Sequence, residues 1–285
     1  MGGFHSNFHS HCTFCDGRSH PEDFLKFALS KKFRAYGFSS HSPLPFETYW
    51  NMSKMDMPDY LAEIERLKKK YTGDVEVYLG LEIDYLDPSY NATTPYFQSL
   101  SLDYCLSSIH FLSFKKPLLE ENMVCIDGRY SDFEKGLNEH FGGDIRRITE
   151  FFFESSMKMV EIGGFDIVGH IDKIYMNGRK HPDFDIHADW YQKPFLTLLD
   201  FVAEKGLIVE INCKYKNTKG LTFPHVDSYK ELHKRHIPII VNSDCHDPHL
   251  VNDGRNETLA LLKDAGHIST RELVNGVWQE IMFND

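Results

Sequence analysis

Two histidines near the N-terminus, His9 and His11, are separated by one residue, and Asp16 follows them. If residues 3–9 form a β-strand, both imidazoles project from the same face at the end of that strand. Imidazole and carboxylate side chains placed together can coordinate a metal ion. Taken alone, the His-x-His spacing is more typical of ordinary surface or buried histidines, so its meaning depends on the rest of the chain.

Similar polar side chains stand at the end of each later segment with strand-like composition. These residues are His41, Glu82, His110, His170, Asn212, Asp244 and His246. In a barrel of parallel strands these ends converge on one mouth, where burying so many polar groups is costly unless a ligand satisfies them. The pattern predicts two to three divalent ions of zinc, iron or manganese, with Glu82 as the bridging ligand because it is central in the strand order.

The elements that must position these residues alternate between strand-like and helix-like patterns. The predicted strands are 3–9, 34–39, 75–83, 103–110, 165–170, 207–212 and 237–243. The predicted helices are 21–32, 60–71, 144–162, 190–205, 226–235, 257–265 and 270–282. This alternation, with no strong Asn-Gly hairpin signal, indicates parallel strands joined by right-handed crossovers.

We predict one α/β domain over residues 1–285. Seven such units form either an open doubly wound sheet or a closed barrel. The Gly-x-Gly-x-x-Gly fingerprint of the dinucleotide-binding sheet is absent from the sequence. Polar residues at the ends of all seven strands, rather than at two strands beside a switch point, favour the barrel.

The composition is that of an ordinary globular protein, with 41% hydrophobic and 26% charged residues. No signal-peptide pattern and no bilayer-length apolar stretch is present, so we expect a cytoplasmic protein without a membrane partner.

The six cysteines are then expected to be thiols, and an isolated Cys12-x-x-Cys15 favours ordinary cysteines over a zinc or redox site. The formal charge of −11 argues against nucleic acid as an obligatory partner. The oligomeric state is left open.

Three predicted connections are longer than a compact barrel unit needs, which is typical of substrate loops or lids. They are residues 111–131, 171–188 and 213–225, and their cations are Arg129, Lys173, Arg179, Lys214 and Lys216. Each cation alone is more typical of a solvated surface. As candidate substrate-binding residues we select Asn212, Lys173, Arg179, Lys214 and Lys216.

The predicted ions would also make the pocket of an acidic protein cationic. Three divalent ions bring six positive charges against the three negative charges of Asp16, Glu82 and Asp244. Such a pocket would attract a phosphate group.

The ordered set of motifs resembles the PHP (polymerase and histidinol phosphatase) family. His9-x-His11 with Asp16 is similar to its first motif, His41 to the second, Glu82 and His110 to the third, His170 to a further one, and Asp244-x-His246 to the last. The resemblance covers the chain from end to end. It implies a distorted (β/α)7 barrel with a metal site at the C-terminal ends of the strands. It also implies three ligand sets, namely His9, His11, Glu82 and Asp244; Glu82, His110 and His170; and Asp16, His41 and His246.

Within the family, the phrases Gly-Leu-Glu-Ile-Asp, Ser-Ile-His-Phe, Gly-His-Ile-Asp and Glu-Ile-Asn resemble the monofunctional L-histidinol-phosphate phosphatases. The resemblance implies a phosphomonoesterase of histidine biosynthesis that releases L-histidinol and phosphate through attack of a hydroxide bridging two ions. Glu82, Asp244 and His246 are the expected catalytic residues, with Asp244 or His246 passing a proton to the leaving group. An acidic side chain must bind the substrate ammonium, and the candidates are Asp172, Asp247 and Glu210.

One departure from that subgroup concerns the loop after Glu-Ile-Asn. The phosphatases often continue with a Thr-Ala-Gly-Leu-Arg-like run, whereas this chain reads Cys-Lys-Tyr-Lys-Asn-Thr-Lys from Cys213. Lys214 or Lys216 would then replace the arginine that grips the substrate.

Three other functions fit parts of the pattern. Another PHP phosphoesterase, acting on a nucleotide, a nucleic-acid end or a phosphotyrosine, is disfavoured by the acidic charge and the missing basic stripe. A non-catalytic PHP module predicts eroded ligand positions, and none of the nine is visibly lost. A mononuclear amidohydrolase-like enzyme would need a lysine or similar bridge in mid-barrel, where Glu82 stands instead.

Overall fold

The computed structural model describes residues 4–283. In chain order its strands are β1 (Ser6–Asn7), β2 (Ala35–Phe38), β3 (Glu76–Asp84), β4 (Tyr104–Ser108), β5 (Phe111–Ser113), β6 (Met123–Cys125), β7 (Ile167–Val168), β8 (Ile208–Asn212), β9 (Ile239–Asn242), β10 (Ser269–Val274) and β11 (Val277–Met282). Its helices are α1 (Pro21–Ser30), α2 (Met57–Lys70), α3 (Pro95–Gln98), α4 (Tyr130–Phe141), α5 (Ile145–Ile162), α6 (Tyr175–Gly178), α7 (Asp189–Lys205), α8 (Lys216–Lys219), α9 (Tyr229–Lys234) and α10 (Arg255–Asp264). Short 3₁₀ turns cover Glu120–Asn122, Val226–Ser228 and Pro248–Leu250. Within this part of the chain, no helix has the length and apolar character needed to cross a membrane.

Seven parallel strands form one sheet in the order β1, β2, β3, β4, β7, β8 and β9. The two outer strands of this order approach each other, because the backbone of Ser10 forms a parallel bridge with that of Cys245. The His11 N–H also donates to the Cys245 carbonyl over 2.9 Å. The sheet is therefore a nearly closed barrel, and the predicted (β/α)7 architecture is confirmed.

The predicted strands overlap the seven strands of this barrel, although most observed strands are shorter. β1 covers only Ser6–Asn7 of the predicted 3–9, and Gly3 lies outside the described residues. Six of the seven predicted helices also overlap observed helices. The predicted helix 226–235 is divided between a 3₁₀ turn and α9.

The predicted helix 270–282 is wrong, because this segment forms an antiparallel hairpin of β10 and β11. At the turn, Asn275 and Gly276 have φ angles of +51° and +74°. Two successive residues with positive φ form the turn that suits a two-residue hairpin, and Asn-Gly is its preferred sequence. The expectation that the chain holds no strong Asn-Gly hairpin is therefore wrong as well.

The long predicted connections contain regular structure that the sequence patterns did not indicate. The 111–131 segment contains the antiparallel hairpin of β5 and β6, and α4 begins near its end. The short helices α6 and α8 lie in the other two connections. These elements have only three to four residues each, apart from α4, and are too short to show a clear hydrophobic period.

The barrel interior is apolar near the beginning of its strands. The first residues of four strands pack with Phe8 in one buried cluster, and these residues are Ala35, Tyr104, Ile167 and Ile208. The Tyr104 side chain crosses the interior, and its hydroxyl donates to the Phe8 carbonyl over 2.7 Å. A Cβ atom at Gly37 or Gly80 would collide with the Tyr104 ring, so these two positions require glycine.

The β10–β11 hairpin closes this end of the barrel. Leu273 is 1% exposed and belongs to the interior cluster, against which Trp278 also packs. The Trp278 indole N–H donates to Asp166 Oδ1 over 3.2 Å, and the Arg34 guanidinium donates to Glu272 Oε2 over 2.7 Å. The hairpin is therefore held by tertiary contacts as well as by its turn.

We expect Leu273→Ala to lower the free energy of unfolding by about 2–5 kcal/mol, because it leaves a cavity in the barrel floor. Val277→Ala is the matched control in the same hairpin, since Val277 is 59% exposed, and it should change that free energy by less than about 0.5 kcal/mol. Urea unfolding followed by circular dichroism measures both. Equal effects of the two substitutions would show that the hairpin does not close the barrel.

Candidate metal centre

The nine side chains predicted as metal ligands meet at the C-terminal mouth of the barrel. They are His9, His11, Asp16, His41, Glu82, His110, His170, Asp244 and His246. Seven of them are buried, whereas Asp16 and His246 are partly exposed. The structure thus brings the whole predicted set together, although metal binding by these residues stays a prediction.

Glu82 on β3 lies at the centre of this group. Its Oε2 is 2.9 Å from His41 Nδ1 and 3.2 Å from His9 Nε2. Its Oε1 is 2.9 Å from His170 Nε2 and 3.6 Å from His110 Nε2. The two oxygens therefore face different imidazoles, which is the arrangement that a carboxylate bridging two ions requires.

The ligand atoms fall into groups small enough to surround single ions. Within each group the atoms lie within 4.8 Å of one another, and the groups are His9, His11 and Asp244; Glu82, His110 and His170; His11, Asp16, His41 and His246; and His41, Asp84 and His110. The second group is identical to one ligand set implied by the resemblance. The first is another of those sets without Glu82, and the third is the remaining set with His11 added. His11 Nε2 is 3.1 Å from Asp244 Oδ1, which is close to the spacing of two ligands on one zinc ion.

Several of these atoms are buried without a hydrogen bond. Among residues 4–283 they include His9 Nε2, His11 Nε2, Asp16 Oδ1 and Glu82 Oε2. Burying an unsatisfied polar atom is costly, so these atoms need a partner that protein groups do not supply. Imidazole and carboxylate donors together suit zinc, iron or manganese, and the residues present therefore fit the expected ions.

Two further carboxylates orient candidate ligand histidines by contacting Nδ1, the ring nitrogen that faces away from the centre. Glu210 Oε1 lies 2.6 Å from His9 Nδ1, and Asp84 Oδ1 lies 2.9 Å from His110 Nδ1. A carboxylate on one ring nitrogen fixes the tautomer and turns the other nitrogen toward the centre. Asp84 was missed from the sequence, yet it stands two residues after Glu82 on the same strand face, and that spacing was the available signal.

The central carboxylates are held in their charged form. Burial raises the pKa of Glu82, but His9 and His110 outweigh burial and hold that pKa well below its usual value. Burial likewise opposes the charge of Asp244, and Lys214 and His9 bring its pKa well below the usual range. Both carboxylates are therefore ionised at neutral pH, as metal coordination requires.

Two candidate ligands also have unusual backbone conformations. The φ angle is +48° at Asp244 and +22° at His170. Non-glycine residues with positive φ are uncommon, and such strain is often found at functional sites. The strain at these two positions is consistent with a mouth built to place particular side chains.

Three of the predicted substrate-binding residues lie at this mouth. Asn212 Nδ2 donates to Asp244 Oδ2 over 3.0 Å, so it supports a candidate ligand. Lys214 Nζ lies 3.2 Å from Asp244 Oδ1. Lys173 is 2% exposed, and its Nζ lies 3.4 Å from Asp127 Oδ2.

The other predicted substrate-binding residues are less closely associated with the mouth. Arg179 is exposed and Lys216 begins α8, and neither shows a contact with the nine candidate ligands among residues 4–283. The three candidate partners for an ammonium group all have protein contacts, although Asp172 Oδ1 is buried without a hydrogen bond. Glu210 contacts His9, Asp172 accepts the His225 N–H over 2.8 Å, and Asp247 accepts the His249 N–H over 2.9 Å.

A cavity of about 1030 Å³ opens above the mouth. Its walls come from β5, β6, α4 and the loop that carries Trp50. The Trp50 ring centroid is 4.5 Å from that of His41 and 5.3 Å from that of His110. Asp127 also lines the cavity, with Oδ2 4.0 Å from His110 Nε2. Sequence reasoning missed Trp50 and Asp127, because neither belongs to a motif or follows a barrel strand directly.

The six cysteines are free thiols, as predicted. Cys12 is buried with its Sγ 3.2 Å from Ser40 Oγ, and burial raises the pKa of the Cys12 thiol to about 11. Cys15 Sγ lies 3.6 Å from His11 Nδ1. Neither cysteine belongs to a candidate ligand group within the described part of the chain.

The chain is similar in sequence, over most of its length, to proteins named as histidinol-phosphatases. A protein of Deinococcus radiodurans named "Probable histidinol-phosphatase" is 25% identical over 267 residues, which is 90% of this chain and 92% of the relative. The histidinol-phosphatase of Bacillus subtilis is 24% identical over 257 residues, covering 84% of this chain and 92% of the relative. A solved histidinol phosphate phosphatase of Lactococcus lactis, complexed with zinc, L-histidinol and phosphate, superposes with a TM-score of 0.72 at 17% identity. That alignment covers 96% of this chain and 98% of the other, and it shows a shared fold.

The family itself follows from a direct match. A family model described as the PHP domain matches residues 5–214, which is more than half of the chain. The matched range contains seven of the nine candidate ligands, and Asp244 and His246 follow it, just after the last strand of the same barrel. The chain belongs to the PHP domain family.

Proposed function

We propose that this chain is a metal-dependent phosphomonoesterase that hydrolyses L-histidinol phosphate to L-histidinol and phosphate. The observation that carries the proposal is the position of Glu82, whose two oxygens each face a different imidazole group. A carboxylate placed in this way is suited to bridge two ions, and paired ions are a common device for phosphate ester hydrolysis. The names of the two relatives and the ligands of the Lactococcus lactis structure support the choice of substrate.

In this proposal the nine residues hold up to three ions. The ligand sets are His9, His11, Glu82 and Asp244; Glu82, His110 and His170; and Asp16, His41 and His246. When bound, divalent ions would activate water and neutralise charge on the phosphoryl group. The chain's own residues orient these ligands, chiefly through the Glu210–His9 and Asp84–His110 contacts.

The remaining groups at the mouth suit a small zwitterionic ester. The ammonium of Lys214 lines the cavity beside Asp244, where it can meet a phosphoryl oxygen. Asp127 and Glu47 line the same cavity and can meet the positive groups of L-histidinol. Asp244 or His246 would pass to the leaving alkoxide the proton that the attacking water releases, since the Asp244 carboxylate is itself ionised. A long polyanion would instead place its remaining charges near acidic residues that line the cavity, among them Glu120, Glu121 and Glu139, where like charges repel.

We expect Glu82→Gln to lower turnover at least ~10²-fold, because the change removes the charge that stabilises two cations. The variant should also bind fewer ions, as measured by elemental analysis after purification without chelator. Glu154→Gln on α5 is the matched control, since Glu154 is exposed and away from the mouth, and it should behave as wild type. Normal turnover and metal content in Glu82→Gln would show that Glu82 is an ordinary strand residue.

Removing metal should lower the thermal midpoint, because the buried polar atoms at the mouth would lose their partners. An ion present at a hundred times its dissociation constant stabilises the native state by about 2.7 kcal/mol. Differential scanning fluorimetry before chelation, after chelation and after addition of Mn²⁺ or Zn²⁺ measures the effect. An unchanged midpoint after complete removal would contradict a metal centre at this mouth.

Substrate choice is tested by steady-state kinetics on a panel of phosphate esters. We expect kcat/KM for L-histidinol phosphate to exceed that for p-nitrophenyl phosphate by at least ~10²-fold, because only the former offers positive groups to the cavity carboxylates. Cleavage of single-stranded DNA should be negligible. A higher kcat/KM for a 3′-nucleotide or a phosphotyrosine peptide would show that L-histidinol phosphate is not the substrate. It would not contradict the metal centre.

A further inference from the structure

Lys214 contacts two candidate ligands of different ions. Its Nζ is 3.2 Å from Asp244 Oδ1 and 3.2 Å from His246 Nε2. Asp244 belongs to an inner ligand group, with His9 and His11, whereas His246 belongs to the outer group that also includes Asp16. The ammonium therefore lies where the inner and outer groups meet.

The contact with His246 uses the lone pair that a metal ion would need. His246 Nδ1 is 3.1 Å from the Asp244 carbonyl oxygen, which can only accept, so Nδ1 carries the proton. In the neutral ring Nε2 is then an acceptor, and the Lys214 ammonium donates to it. Asp16 Oδ1 lies 3.2 Å from the same nitrogen, and two acceptors at this separation need a cation beside them. One lone pair cannot serve an ammonium and a metal ion together.

The outer ligand group is also the more accessible one. The side chains of Asp16 and His246 are 28% and 17% exposed, whereas those of Glu82 and His170 are 1% exposed. Lys214 is 26% exposed and lines the cavity, so its ammonium has space to withdraw from the ligands. A lysine ammonium is a compact point charge on a flexible stem, which suits it to a position that an ion can also occupy.

The distribution of charge disfavours an ion in the outer ligand group relative to ions in the inner groups. The inner groups contain Glu82 and Asp244 and are backed by Glu210 and Asp84, whereas the outer group has one carboxylate, Asp16, and would lie beside two inner ions with four positive charges. The ammonium of Lys214 adds a further positive charge beside them. An ion entering the outer group meets this repulsion unless Lys214 moves away.

We propose that the Lys214 ammonium competes with the third metal ion for His246, from a position that its contact with Asp244 holds. The two inner positions fill first, and the third ion binds only by displacing Lys214 into the cavity. This inference rests on the metal centre of the proposed function, but it does not depend on which phosphate ester is the substrate.

The test is equilibrium dialysis of the chelator-stripped full chain against graded Mn²⁺, with elemental analysis at each concentration. Wild type should bind two ions tightly and a third more weakly. Lys214→Met should lower the dissociation constant of the third ion by at least ~10-fold, because the competing charge is gone, and should lower the first two by a clearly smaller factor. Lys219→Met, an exposed lysine of α8, removes the same charge and should leave all three ions unchanged.

Three results would overturn the inference. The first is an unchanged third dissociation constant in Lys214→Met, and the second is an equal tightening of all three, which would indicate general repulsion. The third is binding of three ions with equal affinity by wild type. Lys214→Gln replaces Lys214→Met if the latter does not fold, with circular dichroism as the check. No substrate is present, so failure to hydrolyse L-histidinol phosphate does not affect the outcome.

Discussion

The charge of one buried carboxylate is the constraint on which the rest of the structure depends. Glu82 is fully buried, and the rings of His9, His11, His41, His110 and His170 approach it from the ends of four strands. Burial alone favours the neutral acid, yet the surrounding groups keep the carboxylate ionised and its pKa low. A charge in this position is stable only if partners surround it on every side, and a nearly closed barrel provides such an enclosure.

The two ends of the barrel interior contain different kinds of side chain. Near the beginning of the strands the interior is filled by apolar rings, with Tyr104 packed against Gly37 and Gly80. Near the end of the strands it is filled by imidazoles and carboxylates, supported from behind by Glu210 and Asp84. The apolar end supplies rigidity, and the polar end can therefore hold its ligand atoms at fixed distances.

Much of this arrangement could be predicted from sequence because it depends on position along strands. The ends of parallel strands meet at one edge, so His9, His41 and His170 could be grouped without knowing any distance. The hairpin at 270–282 was predicted wrongly, because its β-branched and charged residues also fit a helical pattern and the Asn275-Gly276 turn was overlooked.

Other features depend on distances that no local pattern encodes. Asp127 and Trp50 reach the mouth from irregular segments, whose course is set by tertiary packing rather than by a sequence period. The dual contact of Lys214 with Asp244 and His246 is of the same kind, since it joins a loop after β8 to residues after β9. Sequence identified Lys214 as a cation in a suitable loop, and the structure was needed to identify its partners.

The central claim is that Glu82 bridges two metal ions, and anomalous X-ray diffraction from crystals grown with Mn²⁺ or Zn²⁺ tests it most directly. We predict at least two anomalous peaks, one beside each carboxylate oxygen of Glu82, at about 2.0–2.2 Å from that oxygen. A single peak, or peaks that leave the Glu82 carboxylate without a metal contact, would contradict the claim.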